Sequence, residues 1–383
     1  MRKKLVFVTL VLLVAVILTG CTGGAAVRGT TWAGLAASGD IAYLADGATV
    51  YAVNLTNGTE AWHYPEKADT KRLFYATPAV TSDGLVIVGS AGTNHVLVAI
   101  DPNDINPDTK VPAEAWTFSG AKDHWVAAPL IIGDKLFAVN GDGNIYVLNL
   151  SDGKSVKEAE KVIEVGGRLW AQAITDGTRI FVTSLDHSVA AIDAATYEVL
   201  WHDDLTSAIL GSAVIGADGM LYIGTLDSHF EKIDPATGSH ETVLTTEGRL
   251  WGSPAVKGDN IYIADLNGQL YSYNTSTGTN EWSSIQPDGA VTASPVILPD
   301  AILFATEAGK TDKDPGNLFA INDDGTVKWN KKLGGQKSGK IYTTPVLAGD
   351  LILVAPLGAD GYLYAYNISD GSEVTWSPFT PGN

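Results

Sequence analysis

Short apolar runs separated by polar turns recur along the chain from Trp32 onward. Each repeating unit opens with small residues or Pro, followed by an apolar run, a Gly-Asp or Asp-Gly turn and a second apolar run. Residues 251–263, WGSPAVKGDNIYI, and residues 342–354, YTTPVLAGDLILV, are two examples. Such runs, bounded by Gly, Asp and Asn, are typical of β-strands joined by hairpin turns. No stretch after Trp32 has a sustained helical pattern.

The pattern occurs eight times, in units of about 40 to 50 residues. One position per unit, here called the Pro position, holds Leu35, Pro78, Pro129, Ala173, Ala213, Pro254, Pro295 or Pro345. The two longest units carry insertions at residues 101–113 and 309–317. Each unit has four short runs, which in the last unit are residues 344–347, 351–355, 362–367 and 374–378. Residues 32–383 are therefore predicted to form an all-β, eight-bladed β-propeller with four antiparallel strands per blade.

A second segment ends in Trp in six of the eight units. Its pattern is Ala-x-Asp/Asn-x-x-Thr-Gly-x-x-x-Trp, with variations between copies. The six residues are Trp62, Trp116, Trp201, Trp282, Trp329 and Trp376. Lys157 and Thr242 stand at this position in the other two units. We expect each indole to pack between neighbouring blades and to donate its N–H to a backbone carbonyl of the adjacent blade.

This motif resembles the tryptophan-docking repeat of quinoprotein-like, or PQQ-repeat, propellers, and it covers essentially the whole chain after residue 31. It does not resemble the WD40 repeat, because the Gly-His and Trp-Asp pairs of that repeat are missing. The resemblance implies a fold rather than an activity, since propellers host many functions. Closure of the ring by complete units and closure with a one-strand permutation both fit the sequence.

The N-terminus has the pattern of an export signal. Three basic residues, 2–4, precede an apolar run over residues 5–18 that ends in Leu-Thr-Gly-Cys21. We interpret residues 1–20 as a secretory signal peptide. The Cys21 segment resembles the bacterial lipoprotein box, which implies lipidation of that cysteine and a flexible tether over residues 21–31. The alternative is an uncleaved membrane anchor with an incidental cysteine.

Charge and cysteine content limit the possible compartments and partners of the protein. Cys21 is the single cysteine, so the chain can form no internal disulfide and has no further thiol for metal binding or catalysis. The net charge of −18 becomes more negative when the basic signal is removed, which disfavours nucleic acid and anionic lipid headgroups. We expect an exported monomer within a larger complex. Its lipid would anchor it to the periplasmic face of the outer membrane or to the outer face of the cytoplasmic membrane, depending on the host.

Candidate catalytic chemistry is sparse. Resemblance to quinoprotein dehydrogenases would imply a pyrroloquinoline quinone on a Trp floor, a Ca²⁺ ion held by Glu and Asn, a catalytic Asp and, in many members, adjacent cysteines. No such residues are assignable here, and the cysteine pair is missing. The seven His residues are scattered without metal-ligand spacing, and residues 312–316 match only the opening of a calcium loop. We predict no enzymatic activity, no cofactor and no metal. A quinoprotein dehydrogenase and a carbohydrate- or ligand-binding propeller remain the alternatives.

A basic residue followed by aromatic residues precedes the first strand in several units. In a propeller these segments feed the innermost strands, so we expect them to converge around one mouth of the central channel. The predicted partner-binding residues are Arg72, Tyr75, His124, Trp125, Arg168, Trp170, Arg249, Trp251, Lys340 and Tyr342. The alternative is that the aromatic rings pack between blades while the basic side chains extend to solvent. The chain also resembles small BamB-like lipoprotein propellers, which implies a scaffold that binds envelope proteins during outer-membrane assembly.

Overall fold

The computed structural model describes residues 32–156, 162–283, 289–308, 314–334 and 339–382. Within them, 31 strands form eight antiparallel sheets, and each sheet is one blade of a propeller. The predicted eight-bladed fold is confirmed. The signal peptide, Cys21 and the tether lie outside the described residues, as do Lys157 and Asp312.

The strands follow the chain, with four in each of the first seven blades and three in the eighth. Blades 1 to 4 contain β1 (Gly34–Ser38), β2 (Ile41–Asp46), β3 (Thr49–Asn54), β4 (Glu60–Tyr64); β5 (Ala79–Val80), β6 (Val86–Gly89), β7 (Leu97–Ile105), β8 (Pro112–Phe118); β9 (Leu130–Ile132), β10 (Lys135–Val139), β11 (Asn144–Asn149), β12 (Ile163–Glu164); β13 (Ile174–Thr175), β14 (Arg179–Thr183), β15 (Ser188–Asp193) and β16 (Val199–Asp204). Blades 5 to 8 contain β17 (Val214–Ile215), β18 (Leu221–Gly224), β19 (His229–Ile233), β20 (His240–Thr245); β21 (Ala255–Lys257), β22 (Asn260–Ala264), β23 (Leu270–Asn274), β24 (Thr279–Ser283); β25 (Val296–Ile297), β26 (Ile302–Ala305), β27 (Asn317–Ile321), β28 (Val327–Lys332); β29 (Val346–Ala348), β30 (Leu351–Val354) and β31 (Tyr364–Asn367).

Burial changes from the middle of each blade to its outer edge. The second and third strands are buried on both faces, as in β3 and β18, because neighbouring blades cover both sides of the sheet. Their sequences are accordingly near-continuous apolar runs. The fourth strands, such as β16, are largely exposed and form the rim of the propeller.

Eight hydrophobic clusters hold the ring together, one between each pair of neighbouring blades. The cluster that closes the ring joins Leu35 and Leu44 of blade 1 to Leu353 and Leu363 of blade 8. β1 lies beside both β29 and β5. Blade 1 is built only from the start of the described chain and blade 8 only from its end, so the ring closes without strand exchange.

The fourth strand predicted at residues 374–378 is absent. Two isolated bridges, Tyr366 with Glu373 and Leu363 with Phe379, take its place on either side of a turn. Pro378 has no N–H to donate to a strand ladder. The hydroxyl of Ser377 instead accepts the N–H of Ala365, at 3.1 Å. Blade 8 therefore has three strands and a fourth segment held by single contacts.

The recurring Trp of the rim follows a β-bulge in five blades and lies opposite a small residue of the third strand. The small residues are Ala52, Ala99, Ala191, Ser272 and Ala320. Cross-strand partners point to the same face of a sheet, so a small residue leaves room for the indole. This explains the Ala that opens the repeat motif, while the bulge itself has no signature in the sequence.

Each of five rim indoles packs on a glycine of the next blade. The ring of Trp116 lies on Gly153, where an added Cβ would be 2.4 Å from indole Cε3, and its Nε1 donates to the Leu150 carbonyl at 2.9 Å. The other four pairs are Trp201 with Gly238, Trp282 with Gly325, Trp329 with Gly371 and Trp376 with Gly58. The last of these links blade 8 to blade 1.

Blades 4 and 5 depart from this packing, and Trp62 of blade 1 has no glycine beneath it among the described residues. In blade 4 the glycine position holds Tyr197, with a φ of 63°, and its ring lies 6.0 Å from the ring of Phe137 in blade 3. In blade 5 the small residue is replaced by Lys232, which forms an ion pair with Asp218 at 3.1 Å. The bulge of blade 5 is shifted, so Thr242 lies opposite Glu231.

Candidate functional site

Eight side chains form a ring at one mouth of the central channel. Each stands three residues before the Pro position of its blade. Together they line a cavity of about 1010 Å³. We call this set the mouth ring; it consists of Trp32, Tyr75, Val126, Trp170, Leu210, Trp251, Thr292 and Tyr342.

The residue just before each of these members, in blades 2 to 8, faces the opposite way and is at most 1% exposed. These buried residues are Phe74, Trp125, Leu169, Ile209, Leu250, Val291 and Ile341. Isolated bridges, such as Leu169 with Ser184 and Leu250 with Asp265, hold the segments extended against the blade. Consecutive side chains of an extended chain point to opposite faces, so one packs into the core and the next reaches the mouth.

The sequence predicted Trp125 at the mouth, but its side chain lies in the core instead. Its indole is 1% exposed and packs against Phe118 and Tyr146, with ring centroids 6.3 and 5.4 Å away. Gly89 of the neighbouring blade has no Cβ, which makes room for this ring. The blade 3 segment places its aromatic residue one position earlier than blades 4 and 6 do, so Val126 takes the place in the mouth ring.

Arg72 and His124 also lie away from the mouth. The guanidinium of Arg72 forms an ion pair with Glu114 at 3.2 Å and donates to the Tyr64 hydroxyl at 3.1 Å. Both partners belong to fourth strands, so Arg72 lies towards the rim. His124 is exposed beside the ring of His95, at 4.9 Å between centroids. Of the two residues predicted in blade 2, Tyr75 lines the channel and Arg72 does not.

The remaining basic residues give the mouth a mixed charge. Arg168 and Arg249 are exposed and form no ion pair with another described residue. Lys340 contacts Glu307 at 3.2 Å, and the same Glu307 oxygen accepts the Tyr342 hydroxyl at 2.6 Å. Burial and this carboxylate raise the pKa of Tyr342, so its hydroxyl stays protonated as a donor. Two exposed guanidinium groups, rather than a continuous basic ring, therefore face solvent.

Hydroxyl groups link the blades just inside the mouth ring. The backbone N–H of Ser212 donates to the Ser253 hydroxyl at 2.8 Å, and the Ser253 N–H donates to the Ser294 hydroxyl at 2.9 Å. The Ser294 N–H in turn donates to the Thr344 hydroxyl at 3.0 Å. Each of these residues stands just before a Pro position. From blade 5 to blade 8, the Ser or Thr hydroxyl of one blade therefore accepts the backbone N–H of the equivalent residue in the blade before it.

The basic-aromatic pattern of the sequence did not predict the three non-aromatic members of the mouth ring, which are Val126, Leu210 and Thr292. Counting three residues back from each Pro position would have found them. It also gave no sign that His95 approaches His124, since these residues come from different blades and are far apart in the chain.

A family model described as outer membrane protein assembly factor BamB matches residues 160–248 and 241–378, which is more than half of the chain. The chain belongs to the BamB family. BamB of Burkholderia pseudomallei is 25% identical over 182 residues, 45% of this chain and 45% of that protein. BamB of Bordetella pertussis is 22% identical over 308 residues, 67% of this chain and 76% of that protein. The match to the first of these BamB proteins thus spans less than half of its length.

Solved structures agree on the BamB-like fold. The crystal structure of BamB from Moraxella catarrhalis matches with a TM-score of 0.64 and 17% identity, over 88% of this chain and 93% of that one. The computationally designed Ika8 protein matches with a TM-score of 0.67 and 13% identity, over 89% of this chain and 98% of that one. At these identities the likeness shows the fold alone. Across the described residues, no helix is long and apolar enough to cross a membrane.

Proposed function

We propose that this protein is a non-enzymatic assembly factor for outer membrane proteins that binds protein partners through the channel mouth. Membership of the BamB family supports this, because the relatives are named as outer membrane protein assembly factors. We further propose that a lipid on Cys21 holds it at the membrane and that it works as a monomer within a larger envelope complex.

The observation that carries the mouth assignment is the solvent exposure of Trp251, two residues after Arg249, whose exposed side chain forms no ion pair with another described residue. The indole of Trp251 is 36% exposed, although it lies at a concave surface lined by other aromatic rings. Trp, Tyr and Arg are the residue types that dominate binding energy at protein interfaces. An exposed indole in a pocket, two residues after an exposed guanidinium that forms no ion pair with the described residues, is suited to receive a side chain of another protein.

The position of Trp32 supports an orientation towards the membrane. Trp32 is the first described residue and also a member of the mouth ring. Residues 22–31, if fully extended, span at most about 35 Å. An anchor on Cys21 would therefore hold the mouth, where the tether joins the folded body, within about 35 Å of the membrane.

The residues of the mouth do not fit a quinone and its Ca²⁺ ion. Among the described residues that line the cavity, Glu307 is the one carboxylate, and its Oε1 atom is already bonded to Lys340 and Tyr342. Gln172 is the one side-chain amide. The Glu, Asn and Asp set that quinoprotein chemistry requires is not assembled there, so we propose that the channel has no quinone-dependent activity.

The test is co-purification of crosslinked partners from solubilised envelopes of the host. We expect the triple variant Arg168→Ala/Arg249→Ala/Trp251→Ala to lose partner capture and to lower the amounts of outer membrane β-barrel proteins, with little change in melting temperature. Val327→Ser is the matched control, because Val327 is an apolar residue on the rim that is 47% exposed. Capture by the triple variant at the wild-type level would refute the mouth assignment, and dye-linked oxidation after loading with quinone and Ca²⁺ would refute the non-enzymatic role.

A further inference from the structure

Three side chains that can ligate a metal meet at the boundary between blades 2 and 3. His95 lies in the loop between β6 and β7, and Asp123 and His124 lie in the segment that leads to β9. One ligand atom from each residue lies within 4.8 Å of the others. The two imidazole rings are 4.9 Å apart between centroids, with 50° between their planes.

The backbone beneath the segment of Asp123 and His124 is fixed by blade 3. The fully buried side chain of Asn140 donates to the carbonyls of Asp123 and His124, at 2.9 and 3.2 Å. The N–H of Gly141 donates to the His124 carbonyl at 3.1 Å. These bonds hold the two residues in place while the His124 ring stays exposed to solvent.

The loop that carries His95 is fixed just as firmly by blade 2. The hydroxyl of Ser90, which is fully buried, accepts the N–H of Val96 at 3.0 Å and donates to the carbonyl of Asn94. The N–H of Asn94 also donates to the Lys71 carbonyl at 2.9 Å. Both halves of the cluster therefore stand on rigid backbone, which is what a preformed site requires.

We propose that His95, Asp123 and His124 form a binding site for one divalent transition-metal ion of the Zn²⁺ class. Two imidazoles and a carboxylate are ligands that such ions prefer, whereas Ca²⁺ and Mg²⁺ favour sites made of oxygen alone. In a tetrahedral site, ligand atoms lie about 3.4 Å from one another, given bond lengths of about 2.1 Å. Small rotations of these partly exposed side chains reach that spacing.

The contact between Asp123 and His124 prepares the site for the ion. Oδ1 of Asp123 accepts the backbone N–H of His124 at 2.7 Å and contacts Nδ1 of the same ring. The contact places a carboxylate oxygen of Asp123 and Nδ1 of His124 side by side, on the same side of the ring. An ion that displaces the proton between them can take both atoms as ligands, together with one nitrogen of His95. A fourth position is left open to water or to a group of a partner.

A bound ion would connect the His95 loop of blade 2 to the segment that supplies Val126 to the mouth ring. Ligands that bind only the folded state raise its stability by RT ln(1 + [L]/Kd), where [L] is the free ligand concentration. The ion would therefore stabilise the junction of these two blades next to the mouth.

The probe is ZnCl2, titrated calorimetrically into the full chain purified in detergent through a tag without histidines. We expect one ion per chain and a rise in melting temperature that a chelator reverses. His95→Gln and His124→Gln should each weaken binding about tenfold or more, and Asp123→Asn about tenfold. His240→Gln is the matched control, because His240 contacts Asp203 at 2.7 Å and the described residues bring no third ligand to this pair.

Folding and binding are separated by melting all variants in chelator, where each should match the wild type. No saturable Zn²⁺ binding by the wild type would overturn the proposal. Wild-type affinity in both His95→Gln and His124→Gln would overturn it as well, because the ion would then sit elsewhere. Loss of binding in His240→Gln would have the same consequence.

Discussion

The indole of Trp32 meets the indole of Trp170 edge to face, with ring centroids 6.0 Å apart and 63° between the planes. The first belongs to blade 1 and the second to blade 4, so this contact joins blades that are not neighbours. The rim indoles, in contrast, join adjacent blades. The Trp32–Trp170 contact narrows the mouth of the channel rather than holding the ring together.

This difference predicts unequal costs for two Trp substitutions. Trp170→Ala removes one aromatic pair at a solvent-facing mouth and should cost about 1 kcal/mol. Trp116→Ala removes a buried indole that packs on Gly153, so it should cost about 3 to 5 kcal/mol. Guanidinium unfolding of both variants measures the difference. Equal losses in the free energy of unfolding would mean that the mouth pair stabilises the fold as much as a rim indole does.

The glycines that lie under five of the rim indoles are predicted to be less replaceable than a turn glycine. Gly153→Ala should cost about 3 kcal/mol, because φ is +65° and the new methyl group would displace the Trp116 ring. Gly133→Ala is the control, since φ is +58° but no atom lies within 4 Å of an added Cβ. It should cost about 1 kcal/mol. Thermal unfolding that ranks the two variants in the opposite order would contradict this packing account.

The hydroxyl ladder inside the mouth predicts a rescue experiment. Ser253→Ala removes the acceptor of the Ser212 N–H and should cost about 1 kcal/mol. Ser253→Thr should restore most of this stability, because Thr344 fills the same role in blade 8. Chemical denaturation checks both variants. If the Thr variant is no more stable than the Ala variant, the hydroxyl does not act through this bond.

Asp176 predicts a defined loss of stability in acid. Burial alone would raise the pKa of its carboxyl, but hydrogen bonds from the backbone and side chains of Thr178 and Arg179 outweigh it and lower the pKa from 3.8 to about 2. A carboxyl with a lowered pKa stabilises the fold above its unfolded value, and that contribution is lost as pH falls from about 4 to about 2. Asp176→Asn should therefore cost about 1 kcal/mol at pH 7, after allowance for solvent screening.

The measurement for Asp176 is the stability difference between wild type and Asp176→Asn as a function of pH. The difference should be constant from pH 7 to about pH 5 and should shrink towards zero near pH 2. A difference that does not change with pH would show that the carboxyl acts through packing or neutral hydrogen bonds instead.

The fold could be predicted from the sequence because a blade is specified locally. Alternating or continuous apolar runs and their turns define the strands, and the repeat length defines how many blades there are. The prediction failed in blade 8, where Pro378 and the Ser377 hydroxyl replace a regular strand with single contacts. It also gave no indication of the bulge that precedes five of the six rim indoles, because the bulge depends on pairing between strands.

The candidate site was only partly predictable, since each mouth residue of blades 2 to 8 directly follows a buried core residue in the chain. Trp170 lines the mouth while Trp125 is buried, although both end a basic-aromatic segment. A shift of one residue in an extended chain reverses which face a side chain occupies. The ion pairs of Arg72 with Glu114 and of Lys340 with Glu307 likewise come from distant segments, and they left fewer free cations than the sequence suggested.

By itself the sequence determined the eight blades, their strand order and the Trp repeat, because hydrophobic periodicity and turn residues act over a few neighbouring positions. Only the tertiary structure decided which side chains reach the mouth and that His95, Asp123 and His124 meet. Those relationships depend on which residues of each extended segment face the core, and on contacts between separate blades. Local periodicity encodes neither of them.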